Sequence, residues 1–438
     1  MLRLWAVIVR LPLDLALLSL AAPVILFPAR FPAPLTWVAL GLVVASWPAR
    51  RIQTGRWHLS TAADWPILLL LAMLPVAIWA APPPLRAVYS WPRGFILVWN
   101  LALFFAVAAY AGRSRLQFGW ALGGVIAATQ TIAILAPFGI ERRAKIAVLG
   151  KILAVIPDFL VGVFAGAEGG FSTNQLAGVL LYLLPLLIAL TVAGVWRGGR
   201  RDWQWWAIAA CTLWMLAVMA LAQSRGGLLG LAAGLFVVVL LQWRAGWGIL
   251  VGLALLVPLG VRWLPSSVLD ALSDAATVRA VGGLQTLTNF RPDVWRAARW
   301  GIADFPFTGM GLGTFREIGP LLYPMSSVPD NFDLAHAHNF FLQTGLDVGL
   351  PGLAAVVALH LLACWELYRL WRTPGRVAPA WPAFLTWRAL SVGWMGSIVA
   401  HTVYSQFDAV ALGSKPGFLL WLLFALIFAA GRLSRTPG

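Results

Sequence analysis

Apolar residues run along this chain in repeated blocks, separated by short clusters of arginine, glycine and proline. A bilayer-crossing helix needs about 20 residues at 1.5 Å rise, and the blocks approach or exceed that length. They lie near 11–28, 34–48, 64–81, 94–111, 116–138, 175–195, 204–222, 227–242, 246–264, 339–368, 386–405 and 415–431, which predicts twelve spans. Strand-like alternation is absent, so a transmembrane β-barrel is not supported. Internal prolines such as Pro75, Pro185 and Pro258 are tolerable in bundled membrane helices. The expected fold is all-α: a polytopic membrane protein with about twelve transmembrane helices and one long outer loop containing short helices.

That loop, 265–337, is the only long segment of mixed polarity. It divides the chain into 1–264 with nine spans, 265–337 as the loop, and 338–438 with three spans. Residues 142–164 are apolar after Arg142, Arg143 and Lys145, which suits a helix lying in the outer interface. Residues 1–28 resemble a signal peptide, but further spans follow, so they are read as a first transmembrane helix.

Composition agrees. The chain is 61% hydrophobic and 11% charged, whereas a soluble domain is closer to half apolar and a quarter charged. The net charge of +16 follows first from topology, since Lys and Arg accumulate in cytoplasmic loops. With a cytoplasmic N-terminus, nearly every short inside loop is basic, from Arg50, Arg51 and Arg56 to Arg432 and Arg435. The 265–337 loop then lies outside. No soluble basic domain presents a face to nucleic acid. Cys211 and Cys364 both fall in apolar runs, so neither a disulfide framework nor a metal pattern follows.

Many basic residues nevertheless fall outside, among them Arg86, Arg93, Arg225, Arg291, Arg296, Arg299 and Arg316. Long loops translocate regardless of charge; an anionic ligand on the outer side is the sharper explanation. Arg225 interrupts an apolar run within Gln223-Ser-Arg225-Gly-Gly227, where the glycines suit a tight turn before the next helix. A cation beside a helix N-terminus favours an anion. Arg291 precedes Pro292 and Asp293, residues suited to a first helical turn, so a helix is expected from there to about Asp304. Trp295, Arg299 and Ile302 would share Arg291's face. Arg296, off that stripe, is a further substrate-binding candidate. The rival is ion pairing within the loop, which has five arginines against seven acids. Gly309-Met-Gly311-Leu-Gly313 reads as an irregular loop that lets backbone approach a ligand, or as a plain turn.

His338 ends the polar segment. A helix starting there would carry Leu342, Gly345, Gly349 and Gly352 on one face, with Gly345 and Gly349 admitting a close neighbouring helix and Pro351 kinking or restarting it. Nearby cations favour a neutral imidazole, the form a general base needs. Asp347 would point away, roughly 13 Å deeper, with no partner evident in the sequence.

Several of these motifs together resemble the bacterial O-antigen ligase family. His338-Asn339 followed by Gly349 and Gly352 is similar to its histidine signature. Ser224-Arg225-Gly-Gly227 is similar to its outer-face arginine motif, and Arg291-Pro-Asp-Val-Trp295 with the glycine run to its long periplasmic loop. Asn174-Gln-Leu-Ala177 resembles its Asn-x-x-Ala start of an earlier span. The resemblance implies an inverting, metal-independent glycosyltransferase without cofactors, in the bacterial inner membrane with its active face periplasmic. The donor would be a glycan on undecaprenyl diphosphate and the acceptor a glycolipid or glycan hydroxyl, for a ligase a lipid A-core sugar. It makes His338 the base and gives Arg225 and Arg291 the diphosphate, with Asn339 and Asn174 as further substrate-binding candidates. Asp347 stands where family members often carry glutamate. The superfamily also contains O-antigen polymerases and protein O-oligosaccharyltransferases. Outside it, a twelve-span transporter or lipid flippase would predict repeated halves and midplane ionisable residues; Asp347 and His360 are its best support, and no convincing repeat is present.

Overall fold

The computed structural model describes residues 12–58, 60–140, 172–243, 248, 290–328, 333–378 and 381–435. The interfacial helix expected at 142–164, the loop residues 265–289 and, apart from Gly248, the span expected at 246–264 lie outside them. Among the described residues the regular structure is helical, with no strand.

Helix α1 (Leu13–Leu26) is followed by α2 (Ala33–Thr54), α3 (Asp64–Ala80), α4 (Trp91–Ala111) and α5 (Arg115–Leu135). Next come α6 (Thr173–Leu180), α7 (Leu184–Trp196), α8 (Trp203–Ala222) and α9 (Arg225–Gln242). The outer segment contributes α10 (Arg291–Asp304) and α11 (Phe315–Leu322), and the chain closes with α12 (Phe340–Arg372), α13 (Trp387–Tyr404) and α14 (Phe418–Leu433). Hydroxyl caps start several of them. Ser114, Ser172, Ser224 and Thr386 each accept a first-turn N–H, from Gln117, Gln175, Gly227 and Ala389.

Six of the described helices are long and apolar enough to cross a membrane, or seven if the bent pair α6–α7 forms one span. This makes the protein a polytopic helical membrane protein. The apolar helices α1 and α3 are shorter. The spans expected at 34–48 and 386–405 coincide with α2 and α13, which are long enough but carry Arg50 and Arg51, or Arg388 and His401. Arg50, expected in an inside loop, instead lies within α2, buried, with its Nε 2.7 Å from Asp14 of α1. The pair ties the first two helices together where an unpaired charge would be costly.

The centre of the bundle is α14, with 83% of its span buried, and α4 with 78%; α9, at 28%, is peripheral. Close backbone approach joins α9 to α13. A Cβ added at Gly230 or Gly234 would come within 2.5 Å of the carbonyl oxygens of Ala400 and Gly396, the small-residue packing typical of membrane helices.

Helix α12 breaks at Gly349, whose φ of 70° and ψ of 178° are not helical. Its freed groups find partners in the loop after α10. Leu350 N–H donates to the Pro306 carbonyl at 2.7 Å, and Met310 N–H to the Leu346 carbonyl at 2.7 Å. Irregular backbone at membrane depth is tolerated when protein groups satisfy it in this way. Helix α10 runs alongside the first half of α12 in the same direction. Phe290 meets His338, Ile302 fills the space over Gly345, and Phe307 meets Gly349.

Candidate active site

His338 is not on a helix. Asn339 caps α12, its Oδ1 accepting the N–H groups of Phe341 and Leu342 at 3.0 Å each, and His338 precedes that cap with φ of 48°. A non-glycine residue in the left-handed region is uncommon and clusters at functional sites. The seam expected below His338 exists, but its filler is α10 and the glycine loop rather than another span.

The histidine faces an acid that no sequence motif marked. His338 Nδ1 lies 3.7 Å from Asp408 Oδ1, and His336 Nε2 lies 3.4 Å from the same oxygen. The two rings sit 4.6 Å apart. His338 N–H donates to His336 Nδ1 at 3.1 Å. His336 Nδ1 is therefore an acceptor, and a neutral ring must carry its proton on Nε2, toward Asp408. Burial, and then the charges of His338, Arg93 and Arg291, push its pKa down to about 4 despite Asp408. For Asp408, burial acts upward, but the apposed His338, the charge of His336 and the Ala409 N–H outweigh it and hold the carboxyl below the usual range. A carboxylate facing Nδ1 favours a proton there and leaves Nε2 as the basic nitrogen, the acid–imidazole logic of hydrolytic triads.

Asp408 ends a short turn that gathers the site. Tyr404 Oη donates to the Asn174 carbonyl at 2.8 Å. The Ser405 carbonyl accepts Phe340 N–H at 2.9 Å. The Gln406 side chain accepts from Asn339 Nδ2 at 3.3 Å. Phe407 packs over Gly226, 3.3 Å from where its Cβ would be. Five successive residues, 404–408, thus touch the asparagine, arginine-glycine and histidine motifs. Only long-range packing reveals this; the segment has no motif of its own.

Arg291 opens α10 as expected. Its Nε is buried without a hydrogen-bond partner, and its charge reaches both His336 and Tyr404. Arg225 is the exposed first residue of α9, after the Ser224 cap. The left-handed turn position there is Gln223, with φ of 48°, not a glycine; Gly227 serves packing against Ala177 instead. Arg296 is half-exposed and pairs with Asp293 at 3.1 Å, the intraloop pairing that rivalled ligand binding. Asn174 joins through its backbone carbonyl.

The glycine run approaches protein rather than open space. Gly309, Gly311 and Gly313 all have positive φ and lie against Leu346, Ala81 and Arg93. Asp347 now has partners: its Oδ1 accepts Gly313 N–H and Gln343 Nε2, both at 2.8 Å.

His336, His338 and Asp408 offer one ligand atom each within 4.8 Å of one another, a spacing that a divalent cation would fit. The charges of Arg93 and Arg291 nearby oppose a second positive charge and favour an anion.

Residues 210–357 match the family described as O-antigen ligase, which bears out the resemblance over that segment. The match includes Arg225, Arg291 and His338 and leaves Asn174 and Asp408 outside. It supports a membrane glycosyltransferase-like enzyme of the O-antigen ligase and polymerase superfamily. No curated protein matches the chain.

Proposed function

We propose, taking the O-antigen ligase match as premise, that this protein transfers a glycan from undecaprenyl diphosphate to a hydroxyl of a lipid A-core sugar. The observation that carries this reading is His338 backed by Asp408 beside the unpartnered Arg291 Nε. His338 Nε2 takes the acceptor hydroxyl proton as the acceptor oxygen attacks the anomeric carbon. The new glycosidic bond forms as the bond from that carbon to the phosphate oxygen breaks, with inversion. Arg291 and Arg225 stabilise the departing diphosphate, the preorganised-charge effect that commonly dominates such transfers. Asp408 holds the His338 tautomer and stabilises the imidazolium. The step uses side chains alone and needs no metal.

The same reading gives the chain twelve spans in the bacterial inner membrane, with 265–337 and the 404–408 turn on the periplasmic side. The arginine-rich short loops on the opposite side support that orientation.

The test supplies purified protein in lipid with undecaprenyl-diphosphate glycan and, separately, lipid A-core, a second glycan repeat, or a Ser/Thr peptide. Release of undecaprenyl diphosphate with lipid A-core alone supports the ligase. Transfer only to glycan or to peptide reassigns the protein to a polymerase or a protein transferase. Full transfer by folded His338→Ala removes the proposed base.

A further inference from the structure

Arg93 stands in the first turn of α4, a helix that none of the sequence motifs includes. Two glycines from different loops close over it. A Cβ on Gly313 would lie 2.6 Å from its Nη1 and 2.7 Å from its Cζ. A Cβ on Gly413, in the loop that also carries Asp408, would lie 3.0 Å from the Arg93 Cβ. Both glycines have positive φ, 78° and 68°: Gly313 presents bare backbone to the Arg93 guanidinium, and Gly413 lies against the Arg93 backbone carbonyl and Cβ.

Its Nη1 is buried and has no hydrogen-bond partner among the described residues. A buried charged donor without an acceptor is costly. The nearby acid, Asp347, feels the Arg93 charge but makes no ion pair with it. Asp347 Oδ1 is taken by Gly313 and Gln343. Among the described residues, its Oδ2 has no hydrogen-bond partner, and no ion pair joins Arg93 to a carboxylate. The guanidinium charge reaches His336 at the site as well, together with that of Arg291. Arg93 and Arg291 therefore come from different helices to the same histidine pair, each with an unpartnered buried N–H.

We propose that Arg93 is a third cation of the donor site and contacts the phosphates of the lipid diphosphate. This rests on the donor assigned above. A diphosphate carries more negative charge than one guanidinium can match, and a planar fork suits its oxygens.

The test measures equilibrium binding of labelled undecaprenyl diphosphate and of uncharged undecaprenol to the full-length protein in nanodiscs. Arg93→Gln is expected to weaken the diphosphate lipid about ten- to a hundredfold and leave undecaprenol unchanged, with Arg93→Lys in between. In transfer assays the donor KM rises while the acceptor KM holds. Wild-type diphosphate binding by Arg93→Gln, with loss in Arg291→Gln, overturns the role of Arg93 and leaves the function standing. If wild-type protein binds the two lipids equally, the donor assignment falls, and Arg93's role with it. Should Arg93→Gln fail to fold, the intact protein decides. Undecaprenyl diphosphate, but not undecaprenol, must then shield Arg93 from phenylglyoxal, and equal labelling overturns the proposal.

Discussion

His338 faces Asp408 across 3.7 Å, from Nδ1 to Oδ1, although the two residues lie on opposite sides of two helices in the chain. The distance is longer than a hydrogen bond, as is common before substrate binds. The buried carboxylate has a second imidazole, His336, on the same oxygen. Asp408→Asn is expected to lower kcat by about a hundredfold or more, with donor KM little changed. Residues acting as one unit are not additive. The double variant His338→Ala with Asp408→Asn should therefore be no slower than His338→Ala alone, and a multiplicative loss would separate the two roles.

Acid should weaken the fold at this point. His336 has a folded pKa of about 4 against an ordinary 6.5, so the unfolded chain binds more protons between those values and stability rises with pH. As pH falls from about 6.5 to 4, the loss is on the order of 3 kcal/mol. Thermal unfolding across that window reads it, and His336→Gln should flatten the slope. Asp408, held below the usual carboxylate range, works in the same direction at lower pH. An unchanged slope in the variant would place the titration elsewhere.

Chelation should leave transfer intact. The three ligand atoms fit a cation geometrically, but Arg93 and Arg291 stand beside them. Initial rates with and without EDTA are expected to agree. A loss restored by one divalent metal would convert the histidine–aspartate cluster from a base into a metal site.

Two glycine substitutions should differ in sign. Gly349 has φ of 70° and ψ of 178°, a region that is nearly glycine-only, and a Cβ there would meet the backbone of Phe307. Gly349→Ala is expected to cost roughly 2 kcal/mol or more. Gly123 lies inside α5 with nothing within 4 Å, and Gly123→Ala should gain about 0.5–1 kcal/mol. Unfolding temperatures in a common detergent compare them.

Local chemistry made α10 legible in the sequence: Pro292 and Asp293 announce its first turn, and it ends at Asp304 as expected. The same kind of reading misplaced the start of α12, because Asn339 captures the first N–H groups and leaves His338 outside the helix. Apolar run length found the helices but could not weigh Arg50 or His401, polar groups buried against partners within the bundle. Asp408 was silent for another reason, and Arg93 stood out only as one of many outer basic residues. Neither belongs to a motif, and each gains its place through contacts between segments far apart in the chain.

The break in α12 also sets a measuring point. Helix α10 is pinned at its inner end, where Pro306 and Met310 bond to Leu350 and Leu346, and Arg291 stands at the other end. The spacing of cation and base is thus gauged from inside the bundle, and a one-turn slip there would displace Arg291 by about 5.4 Å. Insertions between 304 and 313 would move that gauge, so they should cost transfer.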